Sequence, residues 1–211
     1  MTQGQITLFF LAILGVIAGA MVVHSMIDKR RIKKSISRLL SEVSGEVIQG
    51  NPLIYPRFHG TLSGRTLEVF FTVVKVGRQH ILYFILSVGA KITCDLLLIK
   101  KEAYKPASTP SGPSGPSTPS GGLSGAAGSL LPDLDPAYHA HSKNPQGAGT
   151  VFRQAQPHLE ALDRFYSIQI GPDAIVAGKP YDGEIDIAPQ TLLKDIRVLE
   201  VLALSLEQCP I

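Results

Sequence analysis

The chain has 211 residues, 45% of them apolar, with a formal charge of +3, which suits one domain plus an extra segment. The charge is not spread evenly: residues 28–38 hold six of the 20 Lys and Arg and one of the 17 acids, leaving 14 basic and 16 acidic residues elsewhere. The remainder is therefore slightly negative, which argues against a nucleic-acid-binding domain, since that needs a concentrated basic face.

The first predicted element is the apolar run Ile6 to Ile27, which contains no Asp, Glu, Lys or Arg. Its 22 residues would span ~33 Å as a helix, matching a hydrocarbon core of ~30 Å. A cleaved signal peptide is the rival reading. It needs basic residues before a shorter apolar run, and here Met1 to Gln5 carries none. Lys29, Arg30, Arg31, Lys33, Lys34 and Arg38 follow the run instead. That asymmetry predicts a single-pass protein of the cell (inner) membrane, N-terminus outside and soluble domain in the cytoplasm, with these six cations at the membrane surface. Within the run, Ala12, Gly15 and Gly19 form a small-residue line that lets helices approach closely in lipid, for self-association or for packing on another membrane protein. His24 reads as an interfacial polar residue.

From Asp28 to Ile48, Ile32, Ile36, Leu39, Leu40, Val43 and Val47 recur at helical spacing, predicting a basic juxtamembrane helix over 29–50 that Gly50-Asn51-Pro52 ends. Such a helix either buries its stripe in the following domain or lies on anionic lipid. The period then changes. Tyr55–Leu62, Thr66–Val76, His80–Val88 and Lys91–Ile99 are apolar runs separated by Gly-containing turns, predicting an antiparallel β-meander over 51–102. Poor alternation in some runs suggests that both faces are covered, one by helices.

Residues 103–135 break the pattern. Thr109 to Gly122 contains nothing large and nothing charged, so it reads as a disordered linker or insertion. This stretch is the one feature that leans toward an exported position for the domain. An α+β segment over 136–208 is expected to pack with the meander as one domain. Pro157–Arg164 reads as a short helix, Phe165–Ile170 and Ala174–Ala177 as a hairpin, and Tyr181–Ala188 as a third strand. The last helix, Leu192–Glu207, would be capped by Thr191 and bury Leu192, Ile196, Leu199, Ala203 and Leu206. Strands in runs rather than alternating with helices make the fold class α+β.

Phe58-His59-Gly60-Thr61-Leu62-Ser63-Gly64-Arg65, followed by an apolar strand, resembles a hairpin entry in uncharacterised bacterial single-pass membrane proteins with a strand-rich α+β soluble domain. The resemblance implies that layout and no reaction.

No P-loop, GxGxxG, GxSxG, CxxC or HExxH pattern occurs, so no cofactor, metal or catalytic residue is assigned. His139 and His141 could offer two ligands from one strand but lack a third. Cys94 reads as a buried hydrophobe, Asp182, Glu184 and Asp186 as the solvated face of a strand, and Arg65 as a surface residue. Three functions remain open, the last of them a purely structural tether in which the linker sets the reach between the two halves. The first is a membrane-tethered interaction module or accessory subunit of a membrane complex. The alternative is an enzyme or small-ligand sensor with a noncanonical site, for which His59, His80, Arg65 and Asp95 are the polar candidates.

Overall fold

The computed structural model describes residues 3–51, 53–76, 79–102, 129–131 and 136–208. Most of the 103–135 stretch and Cys209 lie outside the described residues. The chain begins with one helix, α1 (Gln3–Ser37), followed by a 3-10 turn over Arg38–Ser41. A stretch within Phe10–Ser41 has mean hydropathy 2.3, and none of it is buried against the rest of the protein. The helix is thus long and apolar enough to cross a membrane, judged by length and composition.

Among the described residues nine strands form one sheet: β1 (Ser44–Ile48), β2 (Arg57–Leu62), β3 (Arg65–Val76), β4 (Gln79–Gly89), β5 (Leu96–Lys100), β6 (Ser129–Leu131), β7 (Tyr138–Ser142), β8 (Ser167–Ile170) and β9 (Ala174–Pro180). Their order is β1-β2-β3-β4-β9-β8-β5-β7-β6, and every described pairing is antiparallel. The described residues also form two further α-helices, α2 (Pro145–Leu159) and α3 (Pro189–Glu207). The class is α+β, as the grouping of strands predicts.

Pairing fixes which residues share a face, because side chains alternate along a strand. Phe58, Val69, Leu86, Ala177, Ile168 and Leu98 follow one another across six strands and are all fully buried. The tail of α1 reaches this core through Ile32 and Ile36, the turn after it through Leu39, and α3 through Leu192, Ile196, Leu199, Ala203 and Leu206. The α3 stripe is the one the sequence spacing predicts. The β2–β3 turn follows its residues too. Leu62 pairs with Arg65, and Ser63 and Gly64 both have positive φ, 51° and 80°. That is the backbone of a tight two-residue hairpin, which glycine adopts without strain.

Five expectations change. The helical stripe ends at Val43, and residues 44–48 are a strand. Gly45 faces Gly60 there, and the Phe58 ring lies 2.8 Å from where a Cβ would stand on either glycine. No side chain fits, so the glycines serve β1–β2 pairing and not a helix. The meander stops at β4, since β9 pairs beside it and β5 pairs instead with β8 and β7. The helix placed at 157–164 lies earlier. Pro145 starts it, Ala148, Val151, Phe152, Ala155 and Leu159 fill its buried face, and Pro157 falls in its last turn. Residues 183–187 form a 3-10 turn rather than a strand. The residue before α3 is Ala188, with Pro189 opening the helix, so Thr191 lies inside it and caps nothing.

Candidate functional site

Three features of the described residues bear on function: the fixed stem of α1, a buried charge cluster under α3, and, apart from both, an apolar groove beside α3. The stem is fixed by Lys29. Its side chain turns back along α1, so Nζ donates to Ser25 Oγ at 3.0 Å and to the Leu53 carbonyl at 2.6 Å, with the Tyr55 ring 4.9 Å away. Lys29 is buried, whereas Arg30, Arg31, Lys33, Lys34 and Arg38 are exposed. Tyr55 stacks on Phe71, and Phe71 meets the edge of Tyr181. Burial pushes the Tyr181 hydroxyl up to about 12. The apolar helix is therefore joined to the domain by packing and hydrogen bonds and not by a loose tether.

The charge cluster holds α3 in place. Asp186 accepts from Lys179 and, at 3.0 Å, from Arg164 through one oxygen, and from the Asp182 backbone N–H at 2.7 Å through the other. Arg164 also lies 3.3 Å from Asp195. Both carboxylates are only 2% exposed, so Asp186 is no part of a solvated face. Asp195 sits on α3 between Leu192 and Leu199, on the buried stripe. An acid on the apolar face of a helix was the sequence signal for this cluster. Asp182 and Glu184 drew attention to the segment for a different reason.

Burial raises the Asp195 carboxyl to about 6, against the pull of Arg164 and Lys179. A raised folded-state value means the native state favours the protonated form. The stability this confers is complete below the ordinary carboxylate range and is lost as pH rises through about 6. At neutral pH, burying this charge costs on the order of 2–3 kcal/mol. Asp195→Asn, an uncharged isostere that leaves Arg164 on Asp186, is therefore expected to stabilise the protein at pH ~7.5 and to be neutral at pH ~4. Urea unfolding of the full chain at both pH values measures it, and destabilisation at neutral pH would refute it.

The groove lies between the end of α2 and the outer face of α3, with a volume of about 540 Å³. Pro157, Ala161, Leu193, Val198 and Val201 form its apolar wall, and Lys194, Arg197, His158 and Glu42 carry its polar atoms. Gln154 Nε2 donates to the Ser205 carbonyl at 3.0 Å and so sets the spacing of the two helices. Lys194 and Arg197 are exposed and stand one helical turn apart. Val201 and Leu204 extend the apolar stripe, 50% and 44% exposed. An apolar floor beside exposed cations is what a negatively charged amphipathic segment would meet.

The four polar candidates are not brought together. Arg65 pairs with Glu207 at 2.6 Å and is largely buried, not a surface residue. His59 on β2 lies 3.1 Å from Glu68 on β3. His80 pairs with Lys75 near the far end of the β3–β4 hairpin, and Asp95 stands before β5, 3.7 Å from Lys143. Cys94 is buried, with its thiol pushed up by desolvation. His139 and His141 share a face of β7. Among the described residues no group of three or more His, Cys, Asp or Glu side chains is placed to hold a metal.

No protein-family model matches the chain, and no curated protein matches it. Among solved structures, it is similar to the crystal structure of the mycobacterial trehalose monomycolate transport factor A, TtfA. That likeness covers 82% of this chain and 94% of the other, at 12% identity and a TM-score of 0.46, too distant to carry an argument about function.

Around the small-residue line, α1 is open on all sides. A Cβ added at Gly15 or Gly19 would meet nothing within 4 Å. Ala12 lines a shallow apolar depression with Ile13, Val16 and Ile17.

Proposed function

We propose that this chain is a membrane-tethered interaction module, an accessory subunit that holds a partner beside the bilayer. The observation that carries the reading is the groove on α3, an apolar channel of about 540 Å³ flanked by Lys194 and Arg197, presented by a domain fixed to an apolar helix. The dispersal of His59, His80, Arg65 and Asp95 over separate parts of the sheet favours this binding role over a noncanonical catalytic site. In this reading α1 crosses the inner membrane with the N-terminus outside, the exposed Arg30, Arg31, Lys33, Lys34 and Arg38 lie on the cytoplasmic side, and Gly15 and Gly19 offer a packing face to a second transmembrane helix.

The test is co-purification of the full-length tagged protein from mild detergent. A reproducible, stoichiometric membrane protein is expected with the native chain, and its yield is expected to fall at least ~10-fold, about 1.4 kcal/mol, with Val201→Asp in the groove. If the native chain elutes alone, or Val201→Asp keeps the partner, the reading fails. Replacing Gly15 and Gly19 by Ile in the same experiment separates groove contacts from helix packing. Orientation is read by maleimide labelling of Glu160→Cys in a Cys209→Ser chain, because Cys94 is buried and silent. Labelling only after permeabilisation is expected, and labelling of intact spheroplasts would reverse the topology.

A further inference from the structure

We propose that the end of the domain from which α1 emerges is itself a lipid-docking surface. Leu53, Ile54 and Ile185 enter the headgroup–acyl boundary of the bilayer that α1 crosses. The inference rests on the anchor reading above and adds the partner of a surface that reading leaves bare.

The level of this surface is set by Lys29. Its amine bonds at once to Ser25 Oγ, one turn back along α1, and to the Leu53 carbonyl at 2.6 Å. Leu53 therefore stands level with Ser25, inside the apolar run that ends at Ile27. A bilayer that covers the run to its end reaches the Leu53–Ile54 loop. Both side chains are more than half exposed, at 53% and 59%. Polar Asn51 folds under the loop, its Oδ1 accepting the Leu53 N–H at 2.8 Å, and leaves the two apolar side chains outward.

A second segment meets α1 six residues further along, ~9 Å nearer the domain. The 183–187 turn meets α1 where Glu184 stands 3.8 Å from Arg31, four residues past Ile27. Its neighbour Ile185 is 72% exposed, as much as Val16 in the apolar run itself. Tyr55 and Tyr181 line the cleft between the loop and the turn, alongside Asp28, Arg31 and Ile32. Tyrosines with an apolar body and a polar tip suit the interfacial layer. Exposed Arg30 and Arg31 stand beside it, cations that an anionic lipid surface attracts. Exposed leucine and isoleucine are ordinary singly. Three of them beside the end of a hydrophobic helix, with Tyr55, Tyr181 and Arg31 as well as Asp28 and Glu184 around them, mark a membrane contact.

The chain contains no tryptophan, so one introduced indole reports alone. Leu53→Trp, Ile54→Trp and Ile185→Trp are made in the full-length protein in nanodiscs of phosphatidylglycerol and phosphatidylcholine, with and without brominated acyl chains. Val22→Trp, within the apolar run, reports the anchor. Leu204→Trp reports the opposite end, because it lies one turn from Glu207, which bonds Arg65 at the start of β3, away from the α1 stem. The docking indoles are expected to emit at shorter wavelength than Leu204→Trp and to be quenched by bromine at least half as strongly as Val22→Trp. Quenching at Val22→Trp with none beyond the Leu204→Trp level at all three docking sites overturns the docking surface and leaves the anchor standing. No quenching at Val22→Trp overturns the anchor, and the docking surface with it.

Discussion

Asp186→Ala is expected to destabilise the protein by about 3–5 kcal/mol, the range for removing one partner from a buried ion pair. The residue is 2% exposed and accepts three hydrogen bonds, from Lys179, Arg164 and the Asp182 backbone. Its loss leaves Lys179 and Arg164, 11% and 22% exposed, with Asp195 as the remaining carboxylate of the cluster. Lys179 and the Asp182 N–H then lose their acceptor, in an interior where unpaired polar groups are not hydrated. For a domain of this size the melting temperature should fall by on the order of 10 °C. Urea unfolding of the full chain checks the energy. The paired replacement Asp186→Leu with Lys179→Met is expected to cost much less, because it removes charge and counter-charge together. Equal losses in the single and paired variants would mean that the residue matters for its shape and not its charge.

The cluster also explains part of what the sequence concealed. Period and composition were enough for the apolar helix, the β2–β3 hairpin and the buried stripe of α3, because each is a local pattern with one consistent reading. Residues 181–188 carry a pattern with two. Asp182, Glu184 and Asp186 alternate as on a half-exposed strand, yet Asp186 is drawn inward by Lys179 and Arg164, and the backbone follows as a 3-10 turn. Those partners lie 7 and 22 residues away, beyond the reach of a period. Strand order is hidden for the same reason. Nothing in Leu96–Lys100 says that it will pair with β8 and β7 while β9 takes the place beside β4. The helix α2 escaped because Gly147, Gly149 and Pro157 argue against it locally, while burial of Val151, Phe152 and Ala155 on the sheet overrides them. The groove follows from these unreadable steps. Its two walls are α2 and α3, so residues such as Leu193 and Val201 look merely like extra apolar positions until α2 is in place.

Glu207→Gln is expected to cost about 2 kcal/mol at neutral pH, and the cost should shrink as pH falls toward 2. An acid in the last turn of a helix faces the negative end of its dipole and is misplaced on its own account. Here both carboxylate oxygens take Arg65 at 2.6 Å, and one also accepts the Lys91 N–H at 2.7 Å. Those bonds, led by Arg65, hold the carboxyl down at about 2. A lowered folded-state value contributes stability that is complete above the ordinary carboxylate range and lost as pH falls through about 2. The side chain is 24% exposed, so solvent screening trims the full linkage value of ~3 kcal/mol to nearer 2. A double-mutant cycle with Arg65→Met should give a coupling of about 1–3 kcal/mol, since both residues lose the same bidentate pair. A coupling near zero would assign the low value to the Lys91 backbone alone. The pH dependence has the opposite sign to that of Asp195→Asn. One variant gains stability toward neutral pH and the other loses it, although both replace a carboxylate on α3. Asp195 is buried with its charge poorly compensated, whereas Glu207 is paired at the rim. Measured side by side in urea from pH ~2 to ~7.5, the two curves should diverge. Parallel curves would show that burial and pairing do not set the two carboxylates apart.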